Sequence, residues 1–115
     1  MTKKINNINI DKKINNAKTF KDLLLPKNVA ATLFIKSWCG YSQSAIKELE
    51  KNGINYVYYD IEKIPEKLTN DMYKWLETKK LIERRTVPQI FNGNEYIGGY
   101  QELMEKYFTP YSTER

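Results

Sequence analysis

The sequence has no histidine and a single cysteine, Cys39, in 115 residues. Without an imidazole there is no serine–histidine or cysteine–histidine catalytic pair, and no histidine-ligated metal. With one thiol the chain can close no disulfide within itself and can build no zinc site from its own cysteines. Long apolar runs are missing too. The longest, Val29 to Ile35, is interrupted only by Thr32, which suits a buried strand and falls far short of the roughly 20 apolar residues of a membrane span. The N-terminus lacks the apolar core of a signal peptide, so neither secretion nor a membrane partner is expected. Any chemistry must come from Cys39, carboxylates, lysines, tyrosines or the backbone.

What is present suits one globular domain: hydrophobic residues are 41% of the chain and charged residues 29%. Nineteen Lys and Arg against fourteen Asp and Glu leave a net charge of +5. The basic residues fall in scattered pairs (Lys3–Lys4, Lys12–Lys13, Lys79–Lys80, Arg84–Arg85) with acids between them. That pattern describes a solvated basic surface rather than a nucleic-acid interface, and it attracts small anions.

Residues 1–16, rich in Lys, Asn and Ile, read as a poorly ordered extension whose isoleucines are only loosely helical in spacing. The domain proper is expected over 17–108, with a tail over 109–115. Within it, 17–25 reads as a short helix stopped by Pro26 and 30–36 as a buried strand. Residues 42–51 read as a helix ended by Gly53, and 55–60 as a strand rich in Tyr and Val. Leu68, Met72, Trp75, Leu76 and Leu81 mark an amphipathic helix over 65–81. Gln89–Phe91 and Glu95–Ile97 flank Asn92–Gly93 as a hairpin, and 100–108 is a last helix. This order predicts an α/β fold: a small mixed four-stranded sheet with helices on both faces, the thioredoxin-like plan.

Cys39 stands between the buried strand and the following helix, in Lys36-Ser-Trp-Cys39-Gly-Tyr-Ser42. A thiol at a helix N-terminus meets unpaired backbone N–H groups and the positive end of the helix dipole, which favour the thiolate, the nucleophilic form. Lys36 adds positive charge. Gly40 lets a ligand approach the backbone, Tyr41 offers a ring and a hydroxyl, and Ser42 can cap the helix or hydrogen-bond the sulfur.

Cys39-Gly-Tyr-Ser42 resembles the Cys-x-x-Cys/Ser active site of glutaredoxins. Thr86-Val87-Pro88 resembles that family's Thr-Val-Pro loop, whose proline is cis, and Ile97-Gly98-Gly99-Tyr100-Gln101-Glu102 resembles its Gly-Gly loop. The three stand in register, and the resemblance spans residues 18 to 108. It implies glutathione as co-substrate and Cys39 as the nucleophile. Lys36, Tyr41 and Arg85 are then expected at the glycine end of glutathione. The backbone of Val87 is expected to pair with its cysteinyl unit, presented beside cis-Pro88. The Tyr100 backbone and Gln101 are expected at the γ-glutamyl end, with Glu102 as a helper. Gln101 and Glu102 depart from the short acid usual there.

Ser42 in place of a second cysteine implies a monothiol route, in which a second glutathione resolves the glutathionylated enzyme. The partners implied are glutathione and glutathionylated proteins, for a monomer in the reducing cytoplasm. A competing reading comes from family members with Cys-Gly-Phe-Ser. These hold a [2Fe–2S] cluster between two protomers, with one cysteine from each and two glutathiones as ligands; Cys39 would then be a cluster ligand. Against that reading, only Ser37 and Trp38 separate Lys36 from Cys39, the spacing of the catalytic class. A third alternative is a dithiol enzyme in which Ser42 is an engineered replacement of cysteine.

Overall fold

The buried apolar run forms β1 (Ala31–Ile35), with all five residues buried, in a computed structural model that describes residues 10–108. A strand buried on both faces belongs at the centre of a covered sheet, and β1 is there. The sheet order is β2 (Tyr56–Asp60), β1, β3 (Gln89–Asn92), β4 (Glu95–Gly98). β1 and β2 run parallel, while β3 is antiparallel to both β1 and β4.

Side chains alternate across the pleat and separate two cores. Phe34, Val57, Tyr59 and Phe91 pack with Leu68, Met72, Tyr73 and Leu76 of α3 (Glu66–Thr78) and with Phe20 and Leu23. On the other face Leu33, Ile35, Ile90 and Ile97 pack with Ala45 and Leu49 of α2 (Gly40–Lys51) and Leu103 of α4 (Tyr100–Leu103). The fold is thus the mixed four-stranded sheet with helices on both faces that the pattern predicts. Each large apolar side chain so buried contributes about 1.5–3 kcal/mol.

Local boundaries differ where polar side chains cap the backbone and fix where a helix starts. The helix expected over 17–25 is a single 3-10 turn, Phe20–Leu23. The Asp22 carboxylate accepts the N–H groups of Lys18 (2.8 Å) and Thr19 (3.1 Å), and Asp71 on α3 accepts that of Phe20 (2.9 Å). The last helix is α-helical only over α4 and continues as a π-helical turn, Met104–Phe108. The extension read over 1–16 is described from Ile10, where α1 (Ile10–Asn16) sets Ile10 and Ile14 against the core. Residues 1–9 and the tail over 109–115 lie outside the described residues.

The topology gathers the three singled-out motifs. The C-terminal end of β1 pairs with the start of β3 (Phe34 with Gln89), and β3 pairs with the end of β4 (Ile90 with Gly98). Cys39, Val87–Pro88 and Gly98–Gly99 therefore emerge from the same edge of the sheet, although they lie far apart in sequence.

Candidate active site

Cys39 is the N-cap residue of α2, with extended backbone (φ −82°, ψ 127°). A capping side chain lies where the N–H groups of the second and third helical residues point. Those residues here are Tyr41 and Ser42, and Cys39 holds the capping position, although its side chain closes no capping hydrogen bond of standard geometry. Partial burial pushes the thiol pKa up. The Ser42 N–H and hydroxyl, the Tyr41 N–H and the Lys36 charge outweigh it, so the pKa lies below its ordinary value. The thiol is half-buried and unbridged. Apart from its chain neighbours and its own helix, a Cβ added to Gly40 would meet no atom within 4 Å, so the first residue of α2 faces open space.

Ser42 is fully buried and joins strand to helix: its hydroxyl accepts the Lys36 N–H at 3.4 Å. Lys36 extends over the indole of Trp38, its Nζ 5.3 Å from the ring centroid. The Trp38 Nε1 in turn donates to Glu62 Oε1 at 2.9 Å. Trp38 and Tyr41, 66% and 67% exposed, are the most exposed of the large hydrophobic side chains among the described residues, and they flank the thiol in sequence. Tyr41 leans on Tyr100, ring centroids 6.0 Å apart, which joins the start of α2 to the start of α4.

The Val87–Pro88 peptide bond is cis and Pro88 is buried. The loop before it is held from two sides: Tyr73 Oη donates to the Thr86 carbonyl at 2.6 Å, and the buried Gln89 donates to the same carbonyl at 2.9 Å. Tyr96 Oη donates to Gln89 Oε1. Burial pushes the Tyr73 hydroxyl up to about 12, so it remains a donor. Gly98 has φ +129°, and a Cβ there would lie 2.5 Å from Glu102 Cβ, so only glycine fits. Gly99 follows against the Pro88 carbonyl.

The structure brings Cys39, Ser42, Lys36, Tyr41, Val87, Pro88 and Tyr100 to one edge, but it gives several predicted contacts partners of their own. Glu102 accepts the Gly99 N–H at 2.8 Å and caps α4. Gln101 donates to Glu105 at 3.3 Å. Arg85 donates through Nε and one terminal nitrogen to both oxygens of Glu77 (2.9 and 3.1 Å), and through the other to Asn70 Oδ1 (3.3 Å). The ion pair holds Glu77 below and Arg85 above their ordinary pKa values. Sequence reasoning missed Glu77, Asn70 and Glu62. The one available signal was helical spacing, which puts Asn70, Tyr73 and Glu77 on one face of α3.

Comparison with known proteins places this geometry. The glutaredoxin family model matches residues 31–97. Glutaredoxin-1 of variola virus is 35% identical over 79 residues, 68% of this chain and 71% of the viral protein. The vaccinia virus protein of the same name matches to the same extent. Among solved structures, a buckwheat glutaredoxin–glutathione complex superposes with a TM-score of 0.58 at 27% identity, over 73% of this chain and 76% of that one. The holo form of glutaredoxin C1 from Populus tremula x tremuloides shares the fold, with a TM-score of 0.63 at 24% identity, over 85% and 80% of the two chains.

Proposed function

The chain belongs to the glutaredoxin family, the glutathione-dependent thiol oxidoreductases, and on that premise we propose that it removes glutathione from mixed disulfides by a monothiol route with Cys39 as nucleophile. The observation that carries this reading is Cys39 at the N-cap of α2, a half-buried thiol with its pKa below the ordinary value, at the same edge as the cis-Pro88 loop.

The Cys39 thiolate attacks the glutathione sulfur of a mixed disulfide. A Cys39–glutathione disulfide forms, the substrate disulfide breaks, and the substrate leaves as a thiolate that takes a proton from solvent. Ser42 has no thiol with which to attack the new disulfide. The thiolate of a second glutathione does so, releasing oxidised glutathione and restoring the Cys39 thiolate. Lys36, Tyr41 and Arg85 serve the glycine end of glutathione, the Val87 backbone pairs with its cysteinyl unit, and the Tyr100 backbone with Gln101 serves the γ-glutamyl end. The exposed Trp38 indole, tethered to Glu62 next to the only thiolate of the chain, supports catalysis over a cluster-bridged dimer, which needs three further thiolates close around the same iron pair. The chemistry suits a reducing compartment, which we take to be the cytoplasm.

The test is reduction of a small glutathione mixed disulfide by glutathione, coupled to NADPH through glutathione reductase, with Cys39→Ser as the blank. Turnover abolished in Cys39→Ser is expected. Efficient reduction of a protein disulfide without glutathione would contradict the monothiol route. No turnover from a protein whose Cys39 still accepts glutathione would put the cluster reading ahead of catalysis.

A further inference from the structure

We propose that Glu77 is a positioning residue that occupies Arg85 and thereby weakens the hold of the site on the carboxylate of glutathione. This rests on the reading above, in which Arg85 serves the glycine end of the co-substrate.

Arg85 is anchored on three sides. Its Nε and one terminal nitrogen donate to the two Glu77 oxygens at 2.9 and 3.1 Å. The other terminal nitrogen donates to Asn70 at 3.3 Å, and the guanidinium lies over the Tyr73 ring, 5.4 Å from its centroid. A guanidinium has five N–H donors, so two remain for a ligand. Its charge is already balanced by a carboxylate in bidentate contact, the geometry in which arginine binds carboxylates best.

An incoming carboxylate therefore meets a neutral pair rather than a free cation. It must share the guanidinium with Glu77, at the cost of two like charges brought close, or displace it. Both side chains of the pair are well exposed, 44% for Arg85 and 39% for Glu77, so nothing buried enforces the contact and a charge change there need not disturb the core. Weak binding of a co-substrate group remote from the sulfur has a kinetic use. Tight binding that is equal in ground and transition states lowers KM without raising kcat, and it slows product release.

The experiment is steady-state kinetics on Glu77→Gln, which keeps size and hydrogen-bonding capacity but removes the charge. KM for glutathione and for its mixed disulfide is expected to fall about three- to tenfold with kcat within twofold of the parent. KM for a disulfide that carries no carboxylate should be unchanged. Adding Arg85→Gln to Glu77→Gln should erase the gain. A KM that is unchanged or higher in Glu77→Gln, or that falls equally for the uncharged disulfide, overturns the inference while leaving the proposed activity standing. An absence of turnover in the parent protein overturns the activity and this inference with it.

Discussion

Ser42 links the reactivity of Cys39 to the fold around it. Its hydroxyl accepts the Lys36 N–H from a fully buried position and is one of the groups that lower the thiol pKa against the partial burial that raises it. Ser42→Ala removes a hydroxyl that favours the thiolate, so the thiol titration should move up. Thiolate absorbance against pH reads this directly. The sign follows from the lowered native pKa. The thiolate fraction, and the rate with it, falls as pH drops through that value, and in Ser42→Ala the fall begins at higher pH. Stability follows the same direction: the thiolate contribution is complete above the unfolded thiol pKa of about 8.5 and is lost as pH falls through the native one. An unmoved titration in Ser42→Ala would assign the lowering to the backbone N–H groups and Lys36 alone. Cys39, Ser42 and Pro88 could be singled out from the sequence because each does its work through the backbone of its own turn. The partners of Arg85 and Trp38 could not, because Glu77 and Glu62 reach them only once the elements have packed.

Both long helices end in the same hydrogen-bond pattern, built from different residues. At the end of α2 the N–H of Gly53 bonds the Glu50 carbonyl (3.2 Å) and that of Ile54 bonds Leu49 (2.9 Å). At the end of α3 Lys80 bonds Glu77 (3.0 Å) and Leu81 bonds Leu76 (2.9 Å). This paired closure requires a left-handed residue between helix and loop. Gly53 takes φ +73° at no steric cost, whereas Lys80 takes φ +61° with a side chain. A left-handed conformation costs a non-glycine residue about 1–2 kcal/mol. Lys80→Gly should accordingly stabilise the protein by about 1 kcal/mol in urea unfolding, and Gly53→Ala should destabilise it by a similar amount. A Lys80→Gly variant no more stable than the parent would mean that the added freedom of the unfolded chain cancels the relief. The same contrast explains what could be read in advance. Gly53 announces a helix end, and the sequence pattern stops a helix there. Lys80 carries no such signal, so the apolar spacing through Leu81 extended α3 three residues past its true end at Thr78. Strands and helices with a clear apolar period were legible. The 17–25 segment was not, because the Asp22 carboxylate caps the turn at Thr19 and Leu24 turns extended, so that only Phe20–Leu23 is helical.

At the scale of the whole molecule, the net charge of +5 acts on whatever approaches the edge where β1, β3 and β4 deliver their loops. Lys36 and Arg85 at that edge are each held by a neighbour, one over an indole and one against Glu77, so Lys36 keeps its charge while that of Arg85 is balanced by a carboxylate. The attraction of an anionic co-substrate therefore falls more to the summed field of the basic surface than to one strong contact. Such a field steers encounter and is screened over about 10 Å at 0.1 M salt. Glutathione carries two carboxylates and one ammonium and is a net anion. The kcat/KM for its mixed disulfide should fall several-fold between about 0.02 M and about 0.5 M salt, mainly through KM. A disulfide without charged groups, assayed with the thiolate fully formed in both conditions, should change little. An equal fall for both substrates would place the salt effect on the Cys39 thiolate itself. A flat profile for both would mean that hydrogen bonds at the site, rather than the surrounding charge, carry recognition.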